Sequence, residues 1–408
     1  MIDFMHMDDR KRQSAIIKVI GVGGAGGNTI NRIIASGYND VTCIVTNSDA
    51  QALEQSLAAE KIQIGVKSTK GLGTGANPDL GKRAAEEDID KIMEVVGNAD
   101  IVFLAAGMGG GTGSGAAPVI AHALHSQGIL SIAIVTKPFE FEGKRRAQTA
   151  HNAIEQLKKE VDALIIIPNQ KLLEIVDYNT PMEEALDMIN SILIQSVKSI
   201  SDIITKPGHI NVDFADVRAI MKDMGMAVLG TATVSGQDRA RKAALQAISS
   251  PLLENMNIDG ARGVLLNITG GIDLGLHEIS DAASIIYERA DENANIILGS
   301  VVDKTMKDAI TVTVIATGFD KEQPSPVQAV SDKASFACAA LRDADVRSVQ
   351  QESGALNLDI AVQKDVCKKQ DKNVSFESLE QVGPLAVGLD DLDVPTFLRK
   401  EAARQPEE

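Results

Sequence analysis

Two glycine-dense segments constrain this 408-residue chain more than anything else in it. The first, Gly21-Val22-Gly23-Gly24-Ala25-Gly26-Gly27-Asn28, closes the apolar run IIKVIGVG and leads into a helical pattern beginning near Thr29. The second, Gly107-Met108-Gly109-Gly110-Gly111-Thr112-Gly113-Ser114-Gly115, closes DIVFLAAG and leads into a helical pattern from Ala116. Glycine lets the backbone turn tightly and approach phosphate oxygens, and the helix behind it offers unpaired N–H groups and a partial positive charge. The first segment alone is ambiguous, because Gly21, Gly23 and Gly26 also satisfy G-x-G-x-x-G, and Asp49 stands roughly where a ribose-binding acid would sit in a dinucleotide-binding fold. An NAD-dependent oxidoreductase is therefore the rival reading. The second segment separates the two. A dinucleotide fold has no evident need of another cradle, whereas six glycines in nine residues, interleaved with the Thr112 and Ser114 hydroxyls, suit two or three successive phosphates or the hydration shell of Mg²⁺. No G-x-x-x-x-G-K-[ST] occurs, which excludes a P-loop nucleotidase.

Around these loops, from residue 15 to 169, β-branched runs (VTCIVTN, KIQIG, ILSIAIVTKP, ALIIIPN) alternate with segments of helical spacing. That alternation predicts βαβ units, and hence an α/β fold on a parallel, Rossmann-type sheet covered on both faces. Thr180-Pro181-Met182-Glu183 then reads as an N-cap, a proline at the first helical position and a capping-box glutamate. Leu186, Ile189, Leu193, Val197, Ile200 and Ile204 follow at helical spacing, predicting one long helix that packs between two domains. Three further strand-like runs (GVLLNITG, NIILGSVV, AITVTVIATGF) predict a smaller α/β domain ending near Phe319. Residues 320–388 are rich in Gln, Ser, Lys and Asp without a sustained apolar period, and read as a flexible tether. The apolar cluster of DDLDVPTFLRK follows within 389–408.

A formal charge of -16 disfavours nucleic acid as a partner. Cys43, Cys338 and Cys367 are odd in number and lack metal-ligand spacing, so neither a disulfide framework nor a zinc site is expected, and a reducing cytoplasm is. Residues 1–14 read as a polar extension without a leader's apolar core, and no run of about 18 apolar residues spans a bilayer, so no direct membrane insertion is expected.

GGGTGSG with its flanking AAGM and AAP resembles the signature of the tubulin superfamily. VIGVGGAGGN, TNSDAQAL, TKGLGTGANP, TKPFEFEGKRR, NVDFADV, ISSPLLE and ARGVLLNITGG resemble its bacterial cell-division branch, the FtsZ family, over about 16–319 and the terminal peptide. The resemblance implies a tubulin-like fold: a GTP-binding domain at 15–179, a central helix at 180–206, and a C-terminal domain at 207–319 whose catalytic loop is 207–217. It implies binding of GTP/GDP with Mg²⁺ held mainly through phosphates, hydrolysis activated by self-assembly, and head-to-tail filaments that form a division ring at mid-cell. GTP contacts are implied for Gly24, Ala25, Gly26, Gly27, Asn28, Asn47, Gly110, Gly111, Thr112, Gly113, Glu142, Arg146 and Asn190. The family usually carries an aromatic residue shortly before its base-reading polar pair, whereas this chain has Leu186 there, and Ser191 follows Asn190. Guanine is thus expected to be preferred with reduced affinity or selectivity.

Neither glycine loop carries a group that could position the attacking water. Asn211-Val212-Asp213-Phe214-Ala215-Asp216 offers two carboxylates three apart, a spacing that also suits Asp213 as a helix cap with Asp216 at the third position. The resemblance implies that Asp213 and Asp216, supported by Asn211, act on the nucleotide of the neighbouring subunit. A head-to-tail contact that does not close makes a filament. At the other end, acidic residues ahead of the apolar cluster and Arg399-Lys400 behind it suit a segment that orders on a partner. The family's terminal peptides bind membrane-tethering and regulatory division proteins, which here implies Asp391, Leu392, Val394, Pro395, Phe397 and Leu398. A tether of about 70 residues gives that peptide a reach of about 45 Å.

Overall fold

Six aliphatic runs pair in parallel to make the first half of one sheet: β1 (Ile17–Val22), β2 (Thr42–Asn47), β3 (Glu60–Gln63), β4 (Ile101–Gly107), β5 (Leu130–Lys137) and β6 (Ala163–Pro168). Their order is β3-β2-β1-β4-β5-β6. The strands read as near-continuous apolar runs because both faces are covered. Along β4, Ile101 and Phe103 enter one core while Val102, Leu104 and Ala106 enter the other. Lys18, on the buried β1, reaches the Val95 carbonyl at 2.8 Å with its ammonium. The helices of this half are α1 (Gly23–Ala35), α2 (Ala50–Glu54), α3 (Val66–Thr69), α4 (Pro78–Val96), α5 (Thr112–Ser126) and α6 (Lys144–Leu157). The computed structural model describes residues 15–174, 176–206, 208–249, 260–291 and 293–319. The extension at 1–14, the tether at 320–388 and the terminal peptide with Asp391, Leu392, Val394, Pro395, Phe397 and Leu398 lie outside the described residues, as does most of ISSPLLE.

The long helix is α7 (Met182–Thr205), and it begins later than its sequence suggests. Thr180 is not the cap: its N–H donates to the Asp177 carbonyl at 2.9 Å in a turn, and Pro181 is extended (ψ 147°) at the cap position with no side-chain cap. The Pro181 carbonyl accepts the first helical hydrogen bond, from the Ala185 N–H at 3.0 Å. Downstream, Ile189, Leu193, Val197, Ile200 and Ile203 are buried in one core with Ile30 and Ile33 of α1. Leu265 and Ile315 of the distal strands join that core.

Beyond α7 come β7 (Gly208–Ile210), α8 (Phe214–Met221), β8 (Gly225–Ser235), α9 (Arg239–Ile248), β9 (Gly263–Gly270), α10 (Leu276–Tyr287), β10 (Asn295–Val302) and β11 (Ala309–Thr317). These strands continue the same sheet in the order β6-β8-β11-β9-β10-β7. The three strand-like runs account for β9, β10 and β11, but β8 escapes the sequence reading because GMAVLGTATVS mixes glycine, alanine and threonine with few large apolar residues. It is nevertheless the hinge strand of the sheet, pairing in parallel with β6 (Ala163↔Gly225 to Ile165↔Ala227) and antiparallel with β11. A third core lies under α9 and α10, against Val264, Leu266 and Ile268 of β9 and Ile310, Val312 and Val314 of β11. No described helix is long and apolar enough to cross a membrane. Cys43 in β2 is a free thiol whose pKa burial pushes up to about 11.

Candidate functional site

Strand order reverses at β1: β2 lies on one side and β4 on the other. In open parallel sheets a ligand crevice forms at such a switch point, outside the carboxyl ends of the strands. Both glycine segments sit there, one behind β1 and one behind β4. They touch each other: a Cβ on Gly23, whose φ is +73°, would lie 3.1 Å from the Gly113 nitrogen.

Both helices start earlier than the glycines suggest, α1 at Gly23 and α5 at Thr112, so part of each glycine run forms the first helical turn. Close packing is the reason. A Cβ on Gly26 would meet the Ala105 carbonyl and lie 2.7 Å from the Gly21 carbonyl carbon, and one on Gly115 would lie 2.6 Å from the Lys82 nitrogen. A Cβ on Gly113 would likewise lie 2.5 Å from the Gly107 carbonyl oxygen. Gly24 and Gly110, by contrast, have no heavy atom within 4 Å of where a Cβ would stand. These glycines therefore divide into some that let backbones cross and others that leave space open.

That space is a cleft of 280 Å³. Gly24, Ala25, Gly110, Gly111, Thr112, Gly113, Glu142 and Arg146 all line it. The first N–H groups of α1 and α5 lack partners within their helices, which makes the floor of the cleft a donor-rich, weakly positive surface. Thr112 Oγ1 lies 2.7 Å from Ser48 Oγ and 3.3 Å from Thr74 Oγ1. Ser114 is a correction: its side chain is buried, and its Oγ accepts the Gly109 N–H at 2.9 Å, so it shapes the loop and does not face the cleft. Glu142 ion-pairs with Arg146 and accepts the Phe139 N–H at 2.9 Å.

Gly26, Gly27, Asn28, Asn47 and Asn190 do not line the cleft. Asn28 is exposed on α1; Asn47 is buried and accepts the Asp49 N–H at 3.3 Å. Asn190 flanks α1 instead, its Oδ1 3.4 Å from Thr29 Oγ1. Beside it Asp187 ion-pairs with Arg32, Ser191 donates to the Asp187 carbonyl at 2.8 Å, and Leu186 is exposed. Asp49 caps α2, accepting the Gln51 N–H at 3.0 Å, which leaves the oxidoreductase reading without its ribose-binding acid.

Thr74, Thr136, Pro138 and Asn169 line the cleft without having been singled out from sequence. Asn169 matters most, because its side-chain oxygen is buried with no hydrogen-bond partner among the described residues, which leaves an acceptor beside the cleft for a donor from a ligand or a water. The signal for it was a polar residue directly behind the apolar strand ALIIIP.

Asp213 and Asp216 lie elsewhere, in the segment that opens α8. They cap that helix reciprocally: Asp213 Oδ1 accepts the Asp216 N–H at 2.9 Å, and Asp216 Oδ2 accepts the Asp213 N–H at 3.3 Å. Both are exposed, and neither lines the cleft of its own chain. Asn211 is exposed and accepts the Gly208 N–H at 2.8 Å.

Comparison with known proteins agrees with this geometry. Residues 16–177 match the Tubulin/FtsZ family GTPase domain and residues 225–320 the FtsZ family C-terminal domain. The chain is 45% identical to the cell division protein FtsZ of Pseudomonas putida over 97% of its own length and 98% of the relative's. The same figures hold for FtsZ of Pseudomonas aeruginosa. Among solved structures, an empty FtsZ dimer of M. jannaschii is 42% identical with a TM-score of 0.72, covering 76% of this chain and 90% of that one. Two adjoining glycine cradles at the switch point of this sheet, matched along nearly the whole length of these relatives, place the chain in the tubulin/FtsZ family, whose GTPase domain it carries.

Proposed function

We propose that the protein is a GTP hydrolase that polymerises head to tail, serves cytokinesis as a division-ring filament in the cytoplasm at mid-cell, and completes its active site only between subunits. In this reading residues 15–179 hold the nucleotide, 180–206 form the connecting helix, and 207–319 supply the catalytic loop to the next subunit. The phosphates rest on Gly24, Ala25 and Gly110 to Gly113. Asn169, Glu142 and Arg146 hold the ribose side, and Asn190 reads the base from α7. Among the described residues the one three-residue grouping of metal-ligating side chains lies at His125, Asp162 and Asp223, away from the cleft. The cleft thus fits an ion carried by the phosphates; Mg²⁺ bound there would neutralise charge developing on the transferred group. Residues 389–408 engage membrane-tethering and regulatory partners.

One observation carries the proposal: among the described residues, the cleft lacks a free carboxylate. Its one acidic lining residue, Glu142, is tied to Arg146, whereas Asp213 and Asp216 stand exposed outside it. Water needs a positioning group within hydrogen-bond reach, so a second copy must bring one. Asp213→Ala is expected to retain GTP affinity and to lower turnover by at least about 100-fold, the usual loss when a positioned acid–base group is removed. Wild-type phosphate release should climb steeply above a threshold protein concentration, together with light scattering. Normal turnover in Asp213→Ala, or release proportional to concentration throughout, would count against the shared site.

A further inference from the structure

At the end of the sheet where β5, β6 and β8 begin, a cavity of 150 Å³ is lined by His125, Asp162, Arg218, Lys222, Asp223 and the 128–130 segment. A ring nitrogen of His125 and one carboxylate oxygen from each of Asp162 and Asp223 lie within 4.8 Å of one another. The three come from separate parts of the chain: the last turn of α5, the residue before β6, and the turn from α8 into β8. We propose that His125, Asp162 and Asp223 form a binding site for a divalent transition metal of the Zn²⁺ class, a site separate from the nucleotide cleft and independent of the hydrolytic reading.

Asp162 carries the argument. The residue is only 3% exposed. Oδ2 accepts from the Ser131 N–H at 2.8 Å and the Ser131 hydroxyl at 3.0 Å, while Oδ1 has no hydrogen-bond partner among the described residues. One oxygen is fixed by Ser131, in the manner of the outer-sphere hydrogen bonds that orient a metal ligand, and the other stands open at the cavity, where an ion can reach it. One imidazole with two carboxylates selects against Mg²⁺ and Ca²⁺, which take oxygen ligands throughout, and suits Zn²⁺ with water in the fourth position. The carboxyl end of α5 adds its negative dipole end. Arg218 and Lys222 also face the cavity, but neither forms an ion pair with Asp162 or Asp223 among the described residues. Arg218 instead donates to the Gly128 carbonyl at 3.1 Å and lies 6.0 Å from the centre of the Phe214 ring. Their charge opposes any cation there, so an ion must gain enough from its imidazole and carboxylate bonds to outweigh it. An ion here would join the end of α5 to the foot of α8, whose opposite end is capped by Asp213 and carries Asp216 in its first turn.

The test is a Zn²⁺ titration of the full, nucleotide-free chain against a chromophoric chelator, with Co²⁺ as a spectroscopic substitute. One Zn²⁺ per chain is expected, with a visible Co²⁺ band that Zn²⁺ abolishes and excess Mg²⁺ does not. His125→Ala and Asp223→Asn change exposed side chains, so thermal melts should match wild type; each should weaken Zn²⁺ at least about 10-fold, the lower bound seen for outer-sphere partners alone. His122→Ala, one turn earlier on α5 and paired with Glu160, should bind as wild type. Undiminished Zn²⁺ affinity in both His125→Ala and Asp223→Asn, or no Zn²⁺ bound by the wild type, would overturn the site.

Discussion

A methyl group at position 26 has nowhere to go: it would collide with the Ala105 carbonyl and sit 2.7 Å from the Gly21 carbonyl carbon, backbone on both sides. At position 110 the same methyl meets nothing within 4 Å. Gly26→Ala should therefore cost about 1–3 kcal/mol of stability, as overpacked interiors do, visible as a lowered melting temperature. Gly110→Ala should leave melting unchanged while its methyl intrudes on the cleft, cutting nucleotide affinity about tenfold, or about 1.4 kcal/mol. Differential scanning fluorimetry and a GTP titration on the same two variants separate these outcomes. Composition marks both positions as phosphate-loop glycines; which of them bears on a ligand depends on what stands across from each Cβ, and that is a property of the packed molecule.

At the scale of elements, Arg239 ties the start of α9 to the start of α10. Its guanidinium donates to Glu278 through Nε (2.7 Å) and a terminal nitrogen (3.0 Å), and to Asp273 at 2.6 Å. Glu278 also accepts the Gly275 N–H at 2.9 Å, capping α10. Arg239, followed by that backbone bond, holds the Glu278 carboxyl below its ordinary 4.5, against burial that pushes the other way. A depressed acid stabilises the fold above its unfolded pKa, and the contribution is lost as pH falls through the folded value. Glu278→Gln should thus lower stability by about 1 kcal/mol at neutral pH, after allowance for partial exposure, with the gap closing below pH 4.5. Melting curves of both proteins from pH 7 to 3 check this. None of it was legible in the sequence, where Arg239 and Glu278 are 39 positions apart. By contrast, the parallel strands announced themselves as aliphatic runs because both of their faces are covered.

For the whole molecule, the proposed division of labour places nucleotide and catalytic aspartates on different surfaces of one chain. Such a molecule should complement itself. A mixture of Asp213→Ala with a variant that cannot hold nucleotide, Gly111→Val, should hydrolyse GTP although neither does alone. Gly111→Val drives its side chain into Thr74 and toward the Asn77 nitrogen, 2.8 Å from a Cβ. Phosphate release from the mixture at a fixed total concentration is the measurement, and inactivity of every mixture in which filaments still form would argue against a site shared between copies.

By itself the sequence determined the strand–glycine–helix units, the phosphate chemistry of the two loops and the family, because each depends on residue type over a few neighbouring positions. It also announced the exposed capping pair Asp213 and Asp216, a three-residue spacing. Tertiary structure decided which glycines face the cleft and which let backbones cross, why Ser114 turns away, and that Asn169 closes the site with an unpartnered acceptor. It also decided that β8, unremarkable in composition, joins the two halves into one sheet, and that His125, Asp162 and Asp223 meet at its far end. These outcomes depend on contacts between residues distant along the chain, and pairing of that kind leaves no periodic trace in a single sequence.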